Sequence, residues 1–175
     1  MTPHDTPDWR RQVFDVLKAA GVKHIAYVPD AGHATALRLA EADPDITVVV
    51  LTTEEEGIGY LAGAWLGGER GALLMQSSGV GNCINTLGLV AMARFPFLTV
   101  VTMRGDWAEF NQHQNPMGQA TEAALKLMGV MVWRADHAAD VAPLLKGAAT
   151  MAFEGDGACA VLLGQRLIGE KAWVQ

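Results

Sequence analysis

Cysteine and charge are both scarce in this chain of 175 residues. Only Cys83 and Cys159 are present, with neither a CxxC pair nor a metal-ligand spacing, so a disulfide scaffold, a zinc site and a dithiol redox centre are all excluded. Both cysteines read as reduced, buried small residues of a cytoplasmic protein. Charged residues make up 18% of the chain, against roughly 25% in a typical soluble domain. The net charge is −6, and no cluster of lysine or arginine offsets it, which excludes a nucleic-acid footprint. Repeats, low-complexity tracts and linkers are absent. The stretch Met1 to Gln12 is polar and charged and lacks the pattern of a secretory signal.

What the chain has instead is apolar material, 50% of its residues. On a domain of this size such a surplus implies surface that another chain covers. Residues 71–93 carry no charge over 23 positions, which reaches the length of a membrane span. Gln76, Ser77, Ser78, Gly79, Gly81, Asn82 and Asn85 interrupt it, so a strand, a turn and a helix are expected in place of a bilayer segment.

Apolar strands are expected near 24–28, 46–51, 72–75, 97–103, 130–133 and 159–163. Helices are expected near 8–20, 33–42, 54–66, 80–94, 119–128 and 138–152. Continuous apolar strands that alternate with helices predict one α/β domain, a doubly wound, six-stranded parallel sheet with helices on both faces. Ligands of such sheets bind beyond the carboxyl ends of the strands. The polar residues of the chain collect there: Pro29–His33, Thr52–Glu56, Ser77–Asn82 and Arg104–Gln114.

Glu54-Glu55-Glu56 opens a helix, where carboxylates oppose the helix dipole whatever else they do. From Gly57 to Gly68 there are twelve residues without a charge, so this helix is expected to be buried on every side. Glu55 shares a face with Gly59, Ala62 and Leu66. A desolvated carboxyl there, its pKa raised, would relay protons near neutrality. Ser77–Asn82 follows a strand and opens a helix. It fits neither GxGxxG (Ile84 stands at the third position), nor a phosphate loop ending in GK[ST], nor a GxSxG elbow. A tight turn with capping serines accounts for it equally well. In the long loop from Arg104 to Pro116, His113 can shuttle protons or bind an anion, or be a solvated histidine. Arg104 can meet an anionic substrate or form a salt bridge, and His33 can be a helix-start residue. Gly155-Asp156-Gly157 imitates a magnesium-diphosphate motif, but it precedes a strand and lacks a following asparagine at the required distance, so a turn is expected.

Taken together, Val28-Pro29-Asp30, Glu54–Gly59, Met75–Asn82, Arg104-Gly105, Gln112-His113 and Met117-Gly118 resemble the pyrimidine-binding domains of thiamine-diphosphate enzymes. Within these, they are similar to the family of sulfopyruvate decarboxylase alpha subunits and phosphonopyruvate decarboxylases. The likeness spans roughly residues 8–165, and 1–175 is read as a single such domain. It implies that Glu55 hydrogen-bonds the ring nitrogen of the aminopyrimidine and that Pro29, Ser78, Gly79 and Asn82 lie beside the cofactor. Asp30, His33, Arg104, Gln112 and His113 are expected to face the substrate, with His113 joining Glu55 in proton transfer. The resemblance further implies thiamine diphosphate as cofactor. Its diphosphate and Mg2+ would be held by a separate beta subunit, in an alpha/beta heterotetramer or larger assembly. The implied reaction is decarboxylation of a small anionic 2-oxo acid, sulfopyruvate first and phosphonopyruvate next. A non-catalytic nucleotide-binding or regulatory subunit of the same fold is the alternative.

Overall fold

The computed structural model describes residues 8–170; the first seven residues of the polar N-terminal stretch lie outside them. The elements run α1 (Trp9–Ala19), β1 (Val22–Tyr27), α2 (Ala34–Glu41), β2 (Thr47–Val50), α3 (Glu54–Leu66), β3 (Arg70–Gln76), α4 (Ser77–Cys83) and α5 (Leu87–Ala93). Then follow β4 (Phe97–Thr102), α6 (Asn115–Leu127), β5 (Met131–Ala135), α7 (Ala138–Phe153), β6 (Ala158–Leu163) and a short α8 (Gln165–Ile168). All six strands are parallel, in the order β2-β1-β3-β4-β6-β5, as the apolar runs predict.

Alternation along the strands divides the core. Ile25, Leu74, Leu98, Val100 and Val161 face one side, where they pack with Val13 and Leu17 of α1, Leu37 of α2 and Leu145 of α7. Leu73, Met75, Val101 and Leu162 face the other, against Ile58 and Leu61 of α3, Val80 of α4, Leu87 of α5 and Leu125 of α6. β4 is buried along its whole length, which explains why it is uninterrupted Phe-Leu-Thr-Val-Val-Thr. Because β1 connects outward to β2 and then inward to β3, the chain reverses direction across the sheet between β1 and β3. That reversal leaves a crevice at their carboxyl ends.

Three details differ from the sequence expectation. The helix expected over 80–94 is two helices, α4 and α5, broken at residues 84–86. The helix expected from 119 begins at Asn115, with Pro116 in its first turn, where a missing N–H costs nothing. Helix α3 is not buried on every side: Glu54, Gly57, Ile58 and Leu61 are its buried residues. The expected turn is present, over residues 154–156, with Asp156 at φ 50°. Cys83 and Cys159 are free and buried, and burial pushes their thiols up to about 12 and about 11. No described helix is long and apolar enough to cross a membrane.

Candidate active site

The crevice between β1 and β3 is floored by a hydrogen-bonded cluster. Gln76 and Thr102 are in-register neighbours at the carboxyl ends of β3 and β4. Asp30, just beyond β1, lies across both. Its Oδ2 accepts from Gln76 Nε2 at 2.8 Å, and its Oδ1 accepts from Thr102 Oγ1 at 2.9 Å and the Gly32 amide at 2.8 Å. Burial alone would raise the Asp30 carboxyl, but the hydrogen bonds from Gln76, Gly32 and Thr102 hold it below the usual range. Ser78 Oγ donates to Gln76 Oε1 at 2.9 Å, which extends the cluster into the first turn of α4. Pro29 is exposed at the lip of the crevice.

His33 does not reach a substrate in this arrangement. The Asp30-capped turn Ala31–His33 folds the ring beneath the cluster, where it is 1% exposed and its Nε2 donates to the Met75 carbonyl at 3.2 Å. Burial lowers its pKa, so it is neutral.

The glutamates sort themselves differently from expectation. Glu54, not Glu55, is the buried one, and its Oε2 accepts from Asn82 Nδ2 at 2.8 Å. A Cβ on Gly79 would stand 2.3 Å from the Glu54 carboxyl carbon, so glycine is required there for α3 and α4 to approach so closely. Glu55 lies one helical step round, partly exposed, and accepts a hydrogen bond from Thr53 Oγ1. That bond lowers its pKa, the reverse of the rise expected from desolvation. The physical reason is that nothing among the described residues covers the Glu55 face. A Cβ on Gly59 or Gly63 would meet no heavy atom within 4 Å, and Leu66 is 88% exposed.

Arg104 is likewise committed. It is 8% exposed and pairs with Glu109, Nη2 donating to Oε1 at 2.6 Å. The pairing drives the Glu109 carboxyl down to about 2. Arg104 is therefore a structural cation and is not a free anchor for a substrate tail. Gln165, unforeseen in the sequence, completes this knot. Its Nε2 donates to Glu109 at 2.9 Å, and its Oε1 accepts from the amides of Asp106 and Trp107 at 3.3 and 3.2 Å. Ser77 does not cap α4; its Oγ exchanges hydrogen bonds with the Arg104 backbone at 3.1 and 3.0 Å. A Cβ on Gly118 would stand 2.1 Å from the Arg104 carbonyl, which explains Met117-Gly118 at the start of α6. Gln112 and His113 stand exposed on the 3-10 turn Gln112–Gln114.

The structure thus joins Asp30 to Ser78 through Gln76, and Asn82 to Glu54. It leaves Glu55, Gln112 and His113 exposed to different degrees at the same end of the sheet. Cavities of about 470 and 460 Å3 open at the other end, lined by residues such as Gly21 and Arg70, and Arg94 and Asp156. Neither touches Glu55, Ser78 or Asn82. A wider hollow of about 560 Å3 opens at the site end, lined by the Gly105–Phe110 loop with Asn115 and Gln119, and the Glu55 carboxylate lies outside its lining.

A family model described as "Thiamine pyrophosphate enzyme, N-terminal TPP binding domain" matches residues 8–123, which contain every one of these groups except Gln165. The chain belongs to that family. It is 37% identical to the sulfopyruvate decarboxylase subunit alpha of Methanococcus maripaludis, over 86% of this chain and 91% of the relative. It is 39% identical to the protein of the same name from Methanothermobacter thermautotrophicus, over 70% of this chain and 75% of the relative. A phosphonopyruvate decarboxylase of Streptomyces viridochromogenes is 35% identical over 63% of this chain, but the match covers only 28% of that longer protein. A 2-oxoglutarate:ferredoxin oxidoreductase from Magnetococcus marinus shares the fold, with a TM-score of 0.70 and 15% identity, over 94% of this chain and 33% of that one.

As a thiamine-pyrophosphate domain, the chain has groups that fit the ring end of the cofactor. The Glu55 carboxylate retains an oxygen beyond its bond to Thr53. It opens onto the bare Gly59–Gly63 surface, where a flat heterocycle and a covering chain can both approach.

Proposed function

We propose that this chain is the alpha subunit of a thiamine-diphosphate-dependent decarboxylase, with sulfopyruvate as substrate and sulfoacetaldehyde as product. The observation that carries the reading is the Glu55 carboxylate at the start of α3, partly exposed beside an uncovered apolar face. When bound, the cofactor supplies the electron sink that lets a 2-oxo acid lose carbon dioxide. Glu55 holds a proton at the ring nitrogen of its aminopyrimidine. Covering the face removes water from Glu55 and raises its pKa from the lowered value it has here, which makes that proton available near neutrality. Pro29, Ser78, Gly79 and Asn82 line the ring pocket. Asp30 shapes it from beneath, while Gln112 and His113 meet the substrate and its protons from the exposed turn.

The cover is a separate beta subunit that holds the diphosphate and Mg2+, in an alpha/beta heterotetramer or larger assembly. Two facts support it. Relatives named as alpha subunits are matched over 75–91% of their length, whereas the sulfopyruvate decarboxylase of Methanosarcina acetivorans is matched over only 36% of its own. The open face is also the one that carries Glu55. The two free thiols, both buried, fit the reducing cytoplasm.

Co-expression with the companion subunit tests this. Aldehyde release from sulfopyruvate is expected only with both chains, thiamine diphosphate and Mg2+ present, and faster than from phosphonopyruvate or pyruvate. Equal turnover by this chain without its companion contradicts the reading. A second check uses the open face: Gly59→Ala removes a mid-helix glycine without a clash, so it stabilises the isolated chain by about 0.5–1 kcal/mol. The same methyl intrudes on the covering subunit. Thermal melting of the chain is expected to rise while its affinity for the companion falls.

A further inference from the structure

We propose that Ser78 is an obligate hydrogen-bond acceptor at this site, its polarity set by Gln76 and Asp30, and that it serves the donor-bearing cofactor rather than the substrate. The inference deepens the functional reading above and rests on that reading's placement of the cofactor at this end of the sheet.

Its basis is the direction of each bond in the cluster. An ionised carboxylate only accepts. Asp30 accepts from three donors, the Gly32 amide and Thr102 Oγ1 on Oδ1 and Gln76 Nε2 on Oδ2. Its carboxylate therefore fixes which end of the Gln76 amide faces it, and the amide cannot turn over without setting carbonyl oxygen against carboxylate. The other end, Oε1, is left facing Ser78, and the Ser78 hydroxyl must donate to it at 2.9 Å. A serine has one proton and two lone pairs. With the proton spent on Gln76, only lone pairs remain for a ligand. In-register pairing sets Gln76 and Thr102, the two neighbours of the Asp30 carboxylate, on adjacent strand ends.

The consequence for ligand chemistry is sharp. A fully ionised 2-oxo acid with an anionic tail presents carboxylate, oxo and tail oxygens, all acceptors, and an acceptor-only serine repels every one of them. An aminopyrimidine carries N–H donors and is the chemical class that Ser78 can hold. Asp30 and Gln76 are thus positioning residues that act through Ser78, and the tail of the substrate is held by other groups.

Asp30→Asn tests this because it preserves shape and reverses polarity. The asparagine oxygen keeps Gly32 and Thr102, its amide faces Gln76, Gln76 turns over, and Ser78 is freed to donate. Binding of thiamine diphosphate with Mg2+ is measured by calorimetry on the complex with the companion subunit, for Asp30→Asn, Ser78→Ala and the double variant. Each single variant is expected to weaken binding about three- to ten-fold, and the double variant no more than Ser78→Ala alone. At saturating cofactor, the KM of Ser78→Ala for the oxo acid stays within about two-fold of the parent. The proposal is overturned if Asp30→Asn costs as much in the Ser78→Ala background as alone, which is the signature of a purely structural aspartate. It is equally overturned if Ser78→Ala raises KM and leaves cofactor affinity untouched, or changes neither. Should Asp30→Asn fail to assemble, the split measured for Ser78→Ala decides by itself. A parent complex that binds no thiamine diphosphate sinks the functional reading; one that binds it, with uncoupled variants, sinks only this inference.

Discussion

Glu55→Gln is expected to cut turnover of the assembled enzyme by roughly 10²–10⁴-fold, the usual worth of a positioned proton donor. Glutamine keeps the length and can still hydrogen-bond a ring nitrogen, but it has no acidic proton to lend. The folded chain should scarcely notice. Glu55 is partly exposed, accepts a side-chain bond from Thr53 and contributes nothing to the buried face of α3. Steady-state rates with the companion subunit, beside thermal melting of the chain, separate the two effects. Near-parent turnover would remove Glu55 from the chemistry. The same change at Glu54 has the opposite profile, since Glu54 is buried against Asn82 and Gly79 and its loss disturbs packing before it disturbs protons.

Arg104→Met is expected to be the most destabilising single change among the site residues. The side chains of Arg104 and Glu109 are 9% and 2% exposed, so removal of one partner strands the other charge in the interior. Breaking such a pair typically costs about 3–5 kcal/mol. For a domain of this size that corresponds to a fall of about 10 °C in melting temperature. Arg104→Met with Glu109→Met should recover much of the loss, because both charges are gone. The pair also sets the acid response. Glu109 is held at about 2 in the folded chain, below its unfolded value of about 4.5, so its contribution is complete above the latter. It is lost as pH falls from about 4.5 toward about 2. Urea melts across that interval should show a steep loss of stability in the parent and a shallower one in the double variant. Equal slopes would mean that the pair is not what holds the loop.

Much of this was legible in the chain. Six uncharged or nearly uncharged runs announced six parallel strands, and the polar residues that follow them fall at the carboxyl ends of those strands. The break between α4 and α5 was not legible, because residues 84–86 are Ile-Asn-Thr, with no proline or glycine to mark it. The early start of α6 had its signal in Pro116, a residue suited to a first helical turn. The order of burial within Glu54-Glu55-Glu56 was half visible. Glu54, Ile58 and Leu61 fall at helical spacing, which points Glu54 inward with them. What decided it was Gly79 and Asn82, distant in sequence and close in space. Absence of charge from Gly57 to Gly68 does not distinguish a helix covered by its own chain from one left bare, and α3 is bare at Gly59, Gly63 and Leu66. The partnerships of Arg104 with Glu109 and Gln165 arise from loop closure across β4 and β6, a long-range event that no local pattern encodes.

On the proposed reading, this chain holds the ring end of thiamine diphosphate and becomes a complete site only when a second chain covers the Glu55 face. Calorimetric titration of thiamine diphosphate with Mg2+ tests it most directly, first into the purified chain and then into its complex with the companion subunit. No measurable heat of binding is expected in the first titration and saturable binding in the second, with one cofactor for each copy of this chain. Tight binding by the lone chain, or none by the complex, would contradict it.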